Sequence, residues 1–240
     1  MSDVDTLAAE LRVSSSTIRR DLEALEQQGL VQRTHGGVVW LGNPNAPATS
    51  RPYAFDQRMG YQHDAKRAIA RAARSLVQPG QTILIDGGTT TFYLAQELLG
   101  QPLQLVTNSL PIANLFLNDD HVELILTGGL MYPRYGVLLG PMAENILSTI
   151  HTKTLFLSVA GIHNAALYNQ NLLLVQSEQR MMTQAQQVIL LADSSKFGQQ
   201  ALTRLCDLSE VDVVVTDNAI SPAHQKQLES AGCKLVIAGD

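Results

Sequence analysis

What this chain lacks narrows it first. No stretch approaches the ~20 apolar residues that cross a bilayer, and Met1 to Leu11 carries neither the basic nor the apolar region of a secretory signal. No membrane partner is therefore expected, and a cytoplasmic location is. Cysteine is nearly absent. Cys206 and Cys233 have no metal-ligand spacing and read as buried or half-buried thiols in a reducing cytosol. The histidines are scattered, without His-x-x-x-His, which argues against zinc. Neither GxGxxG nor Gly-Lys-Ser/Thr occurs, removing the dinucleotide fingerprint and the Walker loop. Ser158 and Ser177 lack a nucleophile-elbow sequence, and His151 and His163 have no recognisable partner. No cofactor is called for. Charge is sparse at 16%, with a net −5, which disfavours a general nucleic-acid coat but leaves a specific reader possible, because local field matters more than the total.

What is present suffices for two domains: 240 residues, 45% of them hydrophobic. Near the start, Leu7, Ala8 and Leu11 have the spacing of one buried helix face, and Arg12-Val13 allows only a short turn. Ser14 suits an N-cap, its hydroxyl oxygen able to accept from first-turn N–H groups. From there Ile18, Leu22 and Leu25 point one way, and Ser16, Arg19, Arg20 and Glu23 form a polar stripe on the other. Two helices joined by a tight turn, the second with hydroxyls and guanidiniums outward, suit a major groove. Spacing alone fits a helical hairpin with a solvated charged face equally well.

After Gly29, a candidate C-cap, two short β-prone runs flank Gly36-Gly37, a pair able to turn a tight hairpin. Helix, turn, helix and hairpin in that order describe a winged helix, with Arg33 and His35 on or near the wing. SSSTIRRDL followed by RTHGGVV resembles the DNA-binding signature of the DeoR family of bacterial transcriptional regulators. That resemblance implies contacts to double-stranded operator DNA from Ser15, Ser16, Thr17, Arg19, Arg20, Arg33 and His35. Family members usually have a further helix ahead of this pair. The first helix is thus apparently missing, and a unit of roughly 40 residues is marginal even when complete. Either the protein starts further upstream or this head is weakened. Acidic residues outnumber basic ones between Met1 and Gly42, so non-specific affinity is expected to be low and binding strongly salt-sensitive.

Gly42 to Pro52, rich in prolines and small polar residues, reads as a linker or an arm. The boundaries expected are 1–42 for the head, 43–60 for the linker and 61–240 for an α/β sensor. In the last region short apolar runs alternate with helices: TILID (Thr82 to Asp86), LQLVT (Leu103 to Thr107), VELILT (Val122 to Thr127), TLFLSVAG (Thr154 to Gly161), VILLAD (Val188 to Asp193), VDVVVTD (Val211 to Asp217) and KLVIAG (Lys234 to Gly239). Such strands predict a mainly parallel sheet covered on both faces. The helices expected around it include His63 to Val77, Phe92 to Leu99, Leu110 to Leu117 and Pro222 to Ala231. Met181-Met182 reads as helix packing in the core.

Ligands of open α/β sheets sit beyond the carboxyl ends of the strands. Those ends are Asp86-Gly87-Gly88-Thr89-Thr90-Thr91, Thr107-Asn108-Ser109, Thr127-Gly128-Gly129, Gly161-Ile162 and Asp193-Ser194-Ser195-Lys196. In the first, Gly87 and Gly88 let the backbone approach a ligand, and the threonines add hydroxyls at a helix N-terminus favourable for phosphate. A plain glycine turn accounts for the same residues. Arg134 and Lys196 offer positive charge; each alone also fits a solvated cation.

DGGTTT, TNS, LTGG and LLADSSKFG are similar to the sensor domain of DeoR-type regulators, so the resemblance spans nearly the whole chain. It implies a fold related to ribose-5-phosphate isomerase and the coenzyme A transferases, and a phosphorylated sugar or related metabolite as effector. The implied contacts are Asp86, Gly88, Thr89 and Thr90 on the phosphate side, with Asn108, Gly128, Gly129, Arg134, Glu178, Asp193 and Lys196 around the rest. Ala160-Gly161 stands where an Asp-Gly pair is common, and Gln176 where an acid is, both near the expected sugar end. The reading reached is a repressor of a carbohydrate operon, a homodimer or homotetramer because two half-sites need two heads, and not an enzyme. Two alternatives stay beside it: an isomerase-like enzyme using Asp86, Glu178, Asp193 and Lys196, and a sensor whose shortened head no longer binds DNA.

Overall fold

The computed structural model describes residue 8 and residues 13–27, 31–34, 37–40 and 55–239. Leu7, Leu11, Arg12, Gly29, His35, Gly36 and the segment 42–52, all given roles above, lie outside the described residues, and Arg33 is described by its backbone alone. The chain divides into two compact units, 1–63 and 64–240.

In the first unit, helix α1 (Ser15–Gln27) starts where Ser14 caps it. The Thr17 N–H donates to Ser14 Oγ at 3.1 Å, and the Ile18 N–H donates to the Ser14 carbonyl at 3.1 Å. Ile18 and Leu22 are buried with Ala8, and half-buried Leu25 packs on them. Ser16, Arg19, Arg20 and Glu23 stand exposed opposite, the division expected from helical spacing. Strands β1 (Val31–Thr34) and β2 (Gly37–Trp40) pair antiparallel, Val31 opposite Trp40 and Thr34 opposite Gly37. Gly37, expected in the turn, is instead the first residue of β2, paired with Thr34. A short helix, α2 (Phe55–Met59), falls within the stretch expected to be linker, and the Arg58 guanidinium lies 5.8 Å from the Phe55 ring centre.

The second unit opens with α3 (His63–Arg74) and continues as β3 (Thr82–Ile85), α4 (Thr89–Glu97), β4 (Leu103–Thr107), α5 (Leu110–Leu115), β5 (Val122–Leu126), a hairpin of β6 (Leu130–Tyr132) and β7 (Val137–Leu139), α6 (Pro141–Ser148) and β8 (Thr152–Leu157). Then come β9 (Gly161–His163), β10 (Ala166–Asn169), α7 (Leu172–Thr183), β11 (Ala185–Leu191), β12 (Thr203–Asp207), β13 (Val213–Asp217), α8 (Pro222–Ser230) and β14 (Lys234–Ala238). Seven strands form a parallel sheet in the order β14-β13-β11-β8-β3-β4-β5. Successive residues of the central strands, such as Ile83 to Ile85 and Leu155 to Leu157, are all buried, so both faces are covered. The fold class expected from the alternating apolar runs is the one found. The chain moves from β3 outward to β5, then returns to place β8 on the other side of β3. The crevice of such a sheet therefore opens between β3 and β8.

One expected strand divides. TLFLSVAG reads as one run to Gly161, yet β8 stops at Leu157 because the Ser158 N–H turns to donate to the Asp86 carboxylate at 2.7 Å. Gly161 instead starts β9, which with β10 and β12 makes a separate antiparallel sheet of order β12-β10-β9. The link from β9 to β10 is Asn164-Ala165, both at positive φ (46° and 57°), the geometry of a tight hairpin turn. Met181 is fully buried and Met182 packs on the same core, as expected; Cys206 and Cys233 are free, buried thiols.

The cap supplies the first prediction. Ser14→Ala should cost this unit about 1 kcal/mol, with Ser14→Asp retaining most of it. Amide hydrogen exchange in α1 of the full chain reads the difference; unchanged protection in the alanine variant would contradict the capping role.

Candidate functional site

At the switch between β3 and β8 the two strand ends are clipped together. Asp86 follows β3, and its Oδ2 accepts from the Ser158 N–H at 2.7 Å and the Ser158 hydroxyl at 3.0 Å. In return the Asp86 N–H donates to the Phe156 carbonyl at 3.1 Å. Asp86 is buried, and these bonds offset the cost of taking a carboxylate out of water. The chain then turns through Gly87-Gly88 into α4. The Thr91 hydroxyl bonds the Asp86 carbonyl at 2.7 Å and the Gly88 carbonyl at 2.9 Å, so Thr91 fastens the turn.

The two glycines have a different cause from the one expected. A β-carbon added at Gly88 would overlap Ser158 Oγ and approach Ser158 Cβ to 2.8 Å; one at Gly87 would overlap Val137 Cγ1. The space is filled by the protein's own side chains, not reserved for a ligand. Thr89 and Thr90 differ from Thr91. They sit in the first turn of α4, nearly buried, and their hydroxyls make no hydrogen bond to a described residue.

The end of β4 lies beside this turn. The Thr107 hydroxyl bonds the Ile85 carbonyl at 2.7 Å, and Ser109 caps α5 by accepting from the Ile112 N–H at 3.4 Å. Asn108 between them is 2% exposed, and its side-chain oxygen has no partner. Its backbone is held by the β6–β7 hairpin: the Leu138 N–H donates to the Asn108 carbonyl at 2.8 Å, and the Leu110 N–H to the Gly136 carbonyl at 2.9 Å. Arg134 stands exposed on the turn of that hairpin. At the end of β5, Gly128 and Gly129 adopt φ of 68° and 115°. A β-carbon on Gly129 would come within 2.7 Å of the Leu139 carbonyl, so this pair also serves chain packing.

Across the switch, Glu178 of α7 is buried at 4% exposure. Its Oε1 accepts from Asn169 Nδ2 at 2.6 Å, and its Oε2 has no partner. Burial first, and the nearby Asp86 charge second, push its pKa well above the usual carboxylate value, while the Asn169 bond opposes them. Asn169 is itself aligned by accepting the Ala160 N–H at 3.0 Å. At the end of β11, Asp193 is 1% exposed; Oδ1 accepts from the Ser195 N–H at 3.1 Å and from the Ser195 hydroxyl, and Oδ2 is unpaired. Lys196 follows on the 3₁₀ turn Ser194–Lys196, half-buried, its ammonium in no ion pair with a described residue.

The sheet thus joins Asp86, Gly88, Thr89, Thr90 and Asn108 directly, brings Glu178 within electrostatic reach of Asp86, and sets Asp193 and Lys196 one strand beyond β8. Gly128 and Gly129 lie at the outer strand. Gln176, by contrast, is exposed. Sequence reasoning misses two residues, Ser158 and Asn169. Ser158 draws attention there only as a nucleophile, although its place after an apolar run is a signal; Asn169 has none, because nothing marks β10 in advance. A cavity of about 450 Å³ opens elsewhere, between Arg67 and Arg71 of α3 and Asp217-Asn218, and shares no lining residue with this cluster. Unpaired buried polar atoms occur here at Asn108, Glu178 and Asp193, and elsewhere at Gln101, Thr152, Ser177 and Thr216.

On α1 the outward residues group at its first turn. Ser14 Oγ lies 2.8 Å from both Ser16 Oγ and Thr17 Oγ1, so those hydroxyls serve the cap as well as any outside partner. Ser15 and Thr17 are half-buried, and Arg19 and Arg20 are exposed.

A family model described as a DeoR-like helix-turn-helix domain matches residues 2–42, and one described as the DeoR C-terminal sensor domain matches 61–218. The chain is 31% identical over 234 residues to the HTH-type transcriptional regulator UlaR of Shigella dysenteriae serotype 1 (strain Sd197), covering 97% of this chain and 91% of that protein. UlaR of Escherichia coli (strain K12 / DH10B) is 30% identical with the same coverage. Among solved structures, ribose 5-phosphate isomerase A of Methanocaldococcus jannaschii matches with a TM-score of 0.42 and 16% identity, over 57% of this chain and 55% of that one. That partial likeness is too distant to bear on what this chain does.

Two outcomes test the site's geometry. Gly88→Ala should destabilise the sensor unit by about 1–3 kcal/mol through overpacking, and adding Ser158→Gly should recover part of that in thermal unfolding; no recovery would mean Ser158 is not the obstacle. Glu178 holds its proton more tightly when folded, so its contribution is fully present below the unfolded pKa and is lost as pH rises from the ordinary 4.5 through the raised folded value. Glu178→Gln should therefore flatten the fall in stability between pH 4.5 and neutrality. Parallel pH profiles for the two proteins would refute this.

Proposed function

The chain belongs to the DeoR family of transcriptional regulators, and from that premise we propose that it represses a carbohydrate-utilisation operon until a phosphorylated, hydroxyl-rich metabolite occupies the strand ends around Asp86. It is a DNA-binding regulator, not an enzyme. The observation that carries the effector class is the complementary set of unused groups. Thr89 and Thr90 offer hydroxyl donors at the positive end of α4, where backbone N–H groups and the helix dipole favour a phosphate. Asn108 Oδ1, Glu178 Oε2 and Asp193 Oδ2 are buried acceptors without donors, which sugar hydroxyls would satisfy. Lys196, following the end of β11, adds a cation to the set. Asp86 acts as scaffold, holding the two strand ends through Ser158, and Gly88 keeps that junction close.

On the DNA side, Arg19 and Arg20 leave the exposed face of α1 to enter a major groove, Ser15, Ser16 and Thr17 face the phosphates, and Arg33 and His35 belong to the wing. Residues 43–60 link head and sensor. The effector acts by favouring one arrangement of paired heads over another, since only differential affinity can shift such an equilibrium. Two heads require at least a homodimer.

Arg19→Ala should lose about 1–3 kcal/mol of operator affinity and relax specificity at one base position, read by mobility shift with an operator mutation series. A uniform loss over all sequences would place Arg19 on phosphate instead. Thr90→Val should weaken stabilisation by a panel of aldose and ketose phosphates in thermal-shift assays while operator binding without effector stays intact. An unphosphorylated sugar stabilising the wild type equally well would sink the phosphate assignment.

A further inference from the structure

The parallel sheet ends in an unguarded strand. Among the described residues β5 pairs only with β4, leaving one row of its backbone N–H and carbonyl groups without a sheet partner. Natural sheets blunt such edges with lysine, proline or bulges. β5 reads VELIL and has none of these; its one charge, Glu123, already accepts from Gln104 Nε2 at 2.8 Å. Ile125 and Leu126 on this strand are 38% and 36% exposed.

The surface beside it is apolar too. Leu130 and Met131 of β6 are 70% and 38% exposed, and Met142 and Ile146, four residues apart on one side of α6, are 71% and 43% exposed. These elements adjoin: Gly129, just after β5, packs where an added β-carbon would meet Ala143 of α6 at 3.2 Å. From Leu124 to Pro133 the chain carries no charge at all. The opposite sheet edge, β14, starts with exposed Lys234 and shows one strongly exposed large apolar residue, Ile237 at 45%.

We infer that β5, β6 and α6 form the face on which a second copy of this chain docks about a two-fold axis, with the two β5 strands antiparallel. Several considerations favour a second copy. A two-fold about Leu124 sets each Glu123 opposite an Ile125 and each Val122 opposite a Leu126, so no like charges meet across the pairing. The strand spans ~17 Å and the helix ~12 Å, and with β6 between them they display on the order of 500 Å² of apolar surface, the size at which a monomer's largest patch is usually functional. With a polar rim this approaches the ~800 Å² per partner of a stable interface. The requirement for paired heads rests on the regulator reading above; the unguarded edge and the apolar face do not.

Sedimentation equilibrium of the full chain without DNA tests this. The wild type should dimerise, and Leu130→Asp and Met142→Asp should each weaken dimerisation by about thirtyfold or more, as loss of a central interface residue does. Ile237→Asp on the opposite edge should leave it unchanged. Because these side chains are exposed, thermal unfolding should stay within a few degrees of wild type, and two substitutions at separate elements guard against one that misfolds. A wild type that stays monomeric at micromolar concentration overturns the proposal, as does association insensitive to both aspartates or abolished by Ile237→Asp. A monomer that still shifts operator DNA would overturn this interface while leaving the regulator reading standing; loss of operator binding in a normal dimer would do the reverse.

Discussion

The bond pair between Asp86 and Ser158 is the constraint from which the rest of the sensor unit follows. It sits where the chain reverses its direction of travel through the sheet, so it must join strands made far apart in sequence. Closing it takes the Ser158 amide out of the sheet, which ends β8 and sends the chain into a second sheet. It also brings the serine side chain against position 88, where no residue with a β-carbon fits. With the turn so tightened, the Thr91 hydroxyl reaches two carbonyls at the start of α4. The buried carboxylate has a further effect across the site. Its charge adds to burial in raising the pKa of Glu178.

Those consequences determine which parts are legible in the sequence. The parallel strands are legible because a strand buried on both faces must be apolar at every position, and runs such as Leu103 to Thr107 suit little besides a buried strand. The cap at Ser14 is legible because its partners are three and four residues away. Local signals of that kind survive any tertiary context. TLFLSVAG misleads for the converse reason. Its composition is uniformly strand-like, and what breaks it after Leu157 is a carboxylate 72 residues earlier, which no local pattern reports. β9, β10 and β12 are three to five residues long with mixed polarity, so neither period nor composition marks them. Asn169, which aligns Glu178, is hidden with them. Gly37 joins β2 because cross-strand pairing with Thr34 claims it, which two adjacent glycines in the sequence do not announce.

The glycines carry a more general lesson about motif reading. A Gly-Gly between strand and helix suggests backbone left bare for a ligand. Here both members are required by the protein's own atoms, and Gly129 meets a carbonyl of the neighbouring strand. The proposed ligand contacts are instead side chains whose polar atoms make no bond to a described residue. Thr89, Thr90 and Thr91 illustrate the difference, since three identical residues in one turn divide into two with free hydroxyls and one committed to the backbone.

Unused buried acceptors are costly in the unliganded protein, each worth roughly 1–3 kcal/mol of lost hydration. Asn108, Glu178 and Asp193 each carry one such oxygen without a partner among the described residues. A ligand hydroxyl that reaches one of them gains a bond without a further desolvation cost on the protein side. An analogue lacking that hydroxyl leaves the acceptor as it was and brings an apolar group against it, so discrimination against deoxy compounds should exceed what shape alone provides. On the reading proposed above, selectivity for a hydroxyl-rich anion would rest on the same clip that shapes the fold, since Asp86 both anchors Ser158 and adds to the raised pKa of Glu178.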